Sequence, residues 1–394
     1  MDSKKLKKMI FVLGFMSFWA NGDNYAVAPL LIDIAKDLNI EIGKAALSVT
    51  AYMLSFGFFT IMFGPLGDRF GKTKVINIAA FGTAIFSMLG ALATSLPYLI
   101  IVRAINGAFG AGIFPVTMAL VGETVEPSER QNTIGKVMGM MFLGGASATA
   151  IGGALAYFGS WRLVYFIYGL AELILAFAML KVLEKSDGKI KKLNFTKVYK
   201  EALSNSELLR IVSIIFLMGF SIFGSFTYSG KYVQSVTGFN ILIVGLILSL
   251  FGIGTVVGGR KTSIAKKILK DKFLLFAGVL GAISLLVLSY SKISWIIGIS
   301  LFGFGLAFVF LQSTLVMKAQ ETLPKLRGTA MSLASFNMFV GGGVGTFING
   351  KILNYMGINK IYLIASLVLL MVGIVANFVV SFEYREKKRK IQMN

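Results

Sequence analysis

The chain has 394 residues, 56% of them hydrophobic and only 14% charged, with a mean hydropathy of +0.78. Soluble domains carry nearer ~25% charged residues, so an ordinary water-soluble globule is excluded; the same length covers about a dozen membrane spans of ~20 residues. Cysteine and histidine are both absent, which removes disulfides, thiolate and imidazole catalysis and the usual zinc ligands, and leaves an enzyme only carboxylate, Ser and Lys chemistry.

The start, MDSKKLKKMI, runs directly into an apolar stretch too long for a signal-peptide core and without a clear small-residue cleavage site. Apolar runs broken by charge or Gly/Pro clusters predict twelve spans, with cores near 9–32, 45–65, 74–94, 98–120, 133–157, 162–182, 210–232, 240–259, 272–290, 293–317, 329–354 and 360–382. The expected fold class is an all-α membrane protein whose twelve transmembrane helices form two pseudo-symmetric six-helix bundles. The expected division is an N-terminal bundle at 1–184, a cytoplasmic linker at 185–207, and a C-terminal bundle with its tail at 208–394.

Lysine and arginine set the orientation. With the N-terminus inside, Lys36, Lys44, Arg162, Lys231, Lys292, Lys351 and Lys360 fall on the outer side and Arg103 falls within a span, while every other Lys and Arg is inside. That bias is roughly four to one. Both termini of this cell-membrane protein are therefore expected in the cytoplasm, where the basic surplus faces the anionic inner leaflet of the lipid bilayer. The net charge of +21 then needs no nucleic acid, which would require a basic patch presented on a soluble face. In the linker, Phe195, Val198, Tyr199 and Ala202 recur at helical spacing, predicting a short helix on the membrane surface.

An internal repeat supports the two-bundle reading. EPSERQNT at 126–133 aligns with LPKLRGTA at 323–330, and the same offset superposes Gly144 on Gly341, Gly145 on Gly342 and Gly153 on Gly350. A duplicated six-helix unit implies a pseudo-two-fold axis along the membrane normal, with a substrate site near mid-bilayer between the repeats.

Between spans two and three lies GPLGDRFGK, Gly64 to Lys72. Its glycines Gly64, Gly67 and Gly71 permit a tight reversal, and Asp68, Arg69 and Lys72 supply charge. A carboxylate there can meet the positive N-terminal end of a neighbouring helix, so the segment reads as a conformational latch. With RAINGAFGAGIFP, Arg103 to Pro115, and PSER…GSWRLVYF, Pro127 through Phe166, this segment resembles the major facilitator superfamily, particularly its twelve-helix drug:proton antiporters. The resemblance covers essentially the whole chain. It implies the major facilitator fold, and it implies that Asp68 contacts the start of helix eleven near Gly328 and Thr329, with Arg130 in the same cluster. The sequence departs from the pattern in two places. GGASATAIGG, Gly144 to Gly153, has Ala148 and Thr149 where these antiporters carry Gly-Pro, and the second-half loop GGRKTSIAKK at 258–267 lacks the acidic residue.

Charges within spans are costly and mark candidate sites. Asp23 lies about fourteen residues into span one, ~21 Å from the inner surface, and Arg103 lies ~8 Å from the outer end of span four at the helical rise per residue. In a ~30 Å core those depths coincide, so the two can pair across helices one and four, either as a permanent structural ion pair or as a protonation switch. Glu172, near the middle of span six, is either a buried hydrogen-bonded acid or packing contact, or the other proton-coupling candidate. The residues expected around a substrate cavity are Phe15, Trp19, Asn21, Asn24 and Tyr25 in span one, Asn106 in span four, Ser221, Ser225 and Tyr228 in span seven, and Asn337 in span eleven.

These features predict secondary active export of small amphipathic or lipophilic compounds, with the proton as coupling ion and no other cofactor or metal. No GxxxxGK[ST] phosphate loop is present for direct ATP drive. The expected partners are a small-molecule substrate and the bilayer, with the protein a monomer. Uptake by proton symport stays open beside it, as does, from a different class, a non-transporting membrane sensor or a membrane enzyme.

Overall fold

The computed structural model of the chain describes residues 3–188, 195–324 and 326–392. Twelve long helices run through them: α1 Ser3–Tyr25, α2 Leu47–Phe70, α3 Lys72–Gly90, α4 Leu96–Thr124, α5 Pro127–Phe158, α6 Trp161–Val182, α7 Ser206–Phe226, α8 Ile241–Leu269, α9 Phe273–Tyr290, α10 Ser294–Thr322, α11 Arg327–Met356 and α12 Ile358–Gln392. By length and composition alone, ten stretches of the described residues can cross a membrane. One of the ten, Ile241–Tyr290, takes in both α8 and α9. α1 falls outside that set because its lysines, Asn21, Asp23 and Asn24 dilute its hydropathy.

Span one ends earlier than its sequence suggests. α1 stops at Tyr25, residues 26–30 form turns, and a short helix Leu31–Asp37 follows. Pro29 explains the stop, since its ring disfavours helical geometry at the preceding residue and it has no N–H to donate. Span seven breaks at the equivalent place: α7 ends at Phe226 and a separate short helix begins at Ser229.

The packing repeats. In the first six helices α1 lies against α5 and α6, α2 against α4, and α3 against α4 and α6; adding six to each number gives the contacts of the last six. Across the halves, α2 packs on α11 and α5 on α8. Glycines permit these approaches where bilayer hydrocarbon gives helices little hydrophobic drive to associate. A Cβ on Gly144 would collide with the carbonyl oxygen of Phe18 on α1, and one on Gly341 with that of Phe216 on α7. The two glycines paired by the sequence repeat thus make the same contact in each half.

One end of the interface between halves is closed. There a Cβ on Gly43 would sit 3.0 Å from the Gly350 carbonyl oxygen, and Asn354 Nδ2 donates to Glu41 Oε2 at 2.8 Å. The linker contains the expected helix, Phe195–Leu203, but not wholly as a lipid-facing element. Ala202 is buried and the Tyr199 hydroxyl donates to the Ile61 carbonyl of α2 at 2.9 Å, so this part of the helix rests on protein. Burial pushes the Tyr199 hydroxyl up to about 12, which keeps it a donor across physiological pH. The side chains of Phe195 and Val198, and residues 189–194, lie outside the described residues.

Candidate functional site

A cavity of about 1210 Å³ opens between the halves at the end opposite to the closed one. Its lining runs from Asn24, Tyr25 and Tyr52 at the blind end to Gly64, Asp68, Arg327 and Gly328 at the mouth. Phenylalanines from both halves (Phe56, Phe223, Phe251, Phe308, Phe339) cluster at the blind end, and Phe56 and Phe339 meet across α2 and α11 with centroids 4.1 Å apart. Methionines, among them Met118, Met138, Met141 and Met317, also line the cavity; their flexible thioethers suit irregular contents. Among the described residues, Asp68 and Arg327 are the charged members of this lining, and both belong to the mouth. The body of the cavity is apolar, with amides and hydroxyls from Asn21, Asn24, Gln312, Ser313 and Gln320.

Behind the blind-end wall, Arg103 Nη1 meets Asp23 Oδ1 at 3.0 Å and Oδ2 at 3.1 Å. The arginine is 1% exposed and the aspartate 2%. Arg103 Nη1 also donates to Asn106 Oδ1 at 2.8 Å, and Asn106 Nδ2 is fixed by the carbonyl and hydroxyl of Thr83 at 2.9 and 3.1 Å. The guanidinium lies over the ring of Tyr52, 4.3 Å from its centroid, and 5.1 Å from that of Tyr165. The close fit of α4 to α2 depends on Gly107, where a Cβ would run into the Tyr52 carbonyl. Glu172 is fully buried on α6, with Thr83 beside it and neither carboxyl oxygen in a well-formed hydrogen bond.

At the mouth, Asp68 is held at 2.9 Å by Lys72 Nζ, which also binds Glu123 Oε1 at 2.6 Å. Lys72 is buried and bridges the two acids. The expected reversal through three glycines is also narrower than the sequence suggests. α2 continues as helix through Gly64, Pro65 and Gly67, and only Gly71, at φ 89°, turns the chain. That glycine is required on two counts: its φ lies in the region L side chains avoid, and a Cβ would overlap the Ser186 carbonyl. Arg69 stacks on Phe70 at 4.9 Å. Arg130 does not join Asp68; it donates to the Val125 carbonyl at 3.3 Å.

Asn21, Asn24 and Tyr25 line the cavity as expected. The other expected cavity residues do not belong to its lining. Phe15 packs on Phe11 at 4.6 Å and Trp19 stands edge-on to Tyr168 at 5.0 Å. Ser221 donates to the Ala365 carbonyl at 2.7 Å, Ser225 to the Ser221 carbonyl at 2.7 Å, Tyr228 to the Thr346 carbonyl at 2.8 Å, and Asn337 to the Leu333 carbonyl at 2.9 Å. Asn106 serves the arginine. Each polar group is spent on the fold, because an unpaired one in hydrocarbon is costly. Tyr52, Glu123 and Gln312 were not among the expected site residues, and Tyr199, expected on a membrane-surface helix, belongs to the cavity lining.

The Major Facilitator Superfamily family model matches residues 11–346. The chain belongs to the Major Facilitator Superfamily. It is a multi-pass secondary transporter of small molecules and not an enzyme. A Bacillus subtilis protein, the uncharacterized MFS-type transporter YceJ, is 23% identical over 352 residues, spanning 86% of this chain and 88% of that one. Among solved structures, the fold resembles the nucleoside transporter NupG with a TM-score of 0.78 at 14% identity, covering 95% of this chain and 99% of that one. It also resembles a bacterial homologue of the human lysosomal transporter Spinster in an inward-facing, unoccupied conformation, with a TM-score of 0.74 at 14% identity and 97% coverage of both chains.

Proposed function

We propose that this transporter exports small amphipathic or lipophilic compounds in exchange for protons, by alternating access of the cavity to the two sides of the membrane. The observation that carries the reading is the placement of the sealed Asp23–Arg103 pair against a cavity whose body has no charged lining among the described residues. Cargo and proton then occupy adjacent but separate places. Asp23 carries the proton, Arg103 is its partner when ionised, and Glu172 is a second acid in the same buried cluster. Asp68, with Arg69, Lys72 and the glycines around them, forms the latch of the mouth. The domain division at 1–184, 185–207 and 208–394 belongs to this reading, with the two halves rocking about the α2–α11 and α5–α8 contacts. Uptake by proton symport is the second reading, favoured by Ala148 and Thr149 standing where the antiporters carry Gly-Pro.

Two experiments test this directly. In everted membrane vesicles, an inwardly acid gradient should drive accumulation of uncharged amphipaths from a chemically diverse panel; accumulation only when the gradient is reversed would establish symport instead. The chain has no cysteine, so single cysteines at Lys192 and Lys388 report topology cleanly. Both should resist impermeant thiol reagents outside intact cells, and external labelling of both would overturn the assignment of the mouth and both termini to the cytoplasm.

A further inference from the structure

Of the described side chains that hold the buried arginine by a hydrogen bond, ion pair or ring contact, Tyr52 is the one that also lines the cavity. It belongs to the cavity lining, whereas Asp23, Arg103, Asn106 and Tyr165 do not. Its ring face lies 4.3 Å from Arg103 Cζ. Its hydroxyl reaches over Gly110, another lining residue, 3.2 Å from where a Cβ would be. On the cavity side its ring neighbours Phe56 at 5.9 Å; Phe56 meets Phe339 at 4.1 Å, and Phe339 stacks on Phe223 at 5.6 Å. A run of rings therefore leads from the arginine on α4, through α2, to α11 and α7 in the other half.

We propose that Tyr52 is the positioning residue that links cargo in the cavity to the Asp23–Arg103 pair. The inference rests on the proton-coupled reading above and adds to it a physical route. A guanidinium removed from water is held by an aromatic face through the ring quadrupole, and the attraction falls as the ring shifts or tilts. Cargo seated against Phe56 and Tyr52 sets where that ring stands, and so how firmly the arginine is held beside Asp23. By reciprocity, the protonation state of Asp23 then changes cargo affinity by the same factor. The other groups near the pair are Tyr165, Tyr168 and Glu172 on α6, with Thr83 on α3 beside Glu172 and Asn106, and Tyr25 on α1 beside Tyr52. Of these, Tyr25 reaches the cavity, but it faces Phe223, Phe226 and Phe251 rather than the guanidinium.

The test is binding of N-phenylnaphthylamine, an uncharged fluorescent aromatic amine, to the purified full-length protein in detergent across a pH series. Wild type should show an affinity that changes by about tenfold over the series. Tyr52→Phe, which keeps the ring, should retain that change. Tyr52→Leu, which also removes a face the probe rests on, should bind more weakly overall and lose most of the change across the series, to less than about twofold. If Tyr52→Leu gives too little folded protein, Tyr52→Met, unbranched and of similar reach, is read in the same way. Tyr52→Leu or Tyr52→Met with the full wild-type pH dependence overturns the role of Tyr52 while leaving proton coupling intact. Loss of the dependence in Tyr52→Phe as well overturns the ring as the link and assigns it to the hydroxyl. A wild-type protein that binds the probe with no pH dependence overturns the coupling reading and this inference with it.

Discussion

Asp23→Asn should abolish gradient-driven accumulation while leaving folding, membrane insertion and cargo binding in place. The carboxylate is 2% exposed and bound by a single arginine through both oxygens. An ionised acid at that depth requires such a partner. When it takes up a proton the pair loses its ionic attraction, and the relative stability of the two conformations changes by the difference, which is all that coupling requires. Asparagine is close to the protonated acid in shape and cannot cycle, so the protein should still move cargo downhill but not concentrate it. Arg103→Ala removes the partner and leaves the cation–π contact with Tyr52 empty, so its transport defect should vary with pH. A purely structural ion pair predicts something else. Breaking a buried pair is destabilising by about 3–5 kcal/mol, so both substitutions would mainly reduce yield and thermal stability, with no selective loss of coupling. Accumulation by everted vesicles, scaled to the amount of folded protein, separates the two. If Asp23→Asn folds normally and still concentrates cargo under a pH gradient, Asp23 is not the carrier and Glu172 becomes the acid to test.

The second large effect is expected at Asp68. In the open-mouthed structure its carboxylate is held by Lys72, which Glu123 holds in turn. Asp68, Gly328 and Thr329 line the same mouth, and α11 begins at Arg327, so its first N–H groups have no acceptor within the helix. Closure of the mouth would bring the carboxylate to that positive end, a contact worth up to about 2 kcal/mol in a partly buried setting. Asp68→Asn removes the charge, and the ratio of closed to open mouth should fall by up to about 30-fold. Transport should fall with it, while insertion and probe binding persist. A cysteine at Ser332, which lines the cavity, should react faster with thiol reagents from the mouth side in the Asp68→Asn background. Unchanged labelling together with full transport would count against the latch.

Much of this architecture was legible in the sequence because bilayer thickness, charge asymmetry and the repeat each constrain it independently. The pairing of Asp23 with Arg103 was legible for the same reason: depth follows from residue count, and two opposite charges at one depth have strong cause to meet. Helix rotation was not legible. In hydrocarbon both faces of a span are apolar, so polarity does not mark the cavity side as it marks the solvent side of a soluble helix. Ser221, Ser225, Tyr228 and Asn337 are polar at mid-depth, yet each is turned to a backbone carbonyl. Phe15 and Trp19 share Asp23's helix but pack away from the cavity. Tyr52 carried no signal of its own, since a tyrosine within a span is ordinary; its place over the arginine follows from the close approach of α2 to α4 at Gly107 and shows only in the fold. Glu123 could have been found as an acid at the end of span four that lies near the Lys72 loop.

Proton movement in proteoliposomes tests the central claim most directly. Purified protein is reconstituted with an internal pH-sensitive dye, and N-phenylnaphthylamine is added outside with no imposed gradient. The wild type should move protons against the cargo, so the internal pH changes as cargo enters and the change stops when cargo equilibrates. Asp23→Asn should let cargo enter with no pH change above that of protein-free liposomes. Cargo entry through the wild type without proton movement, or an undiminished pH change in Asp23→Asn, would contradict the account.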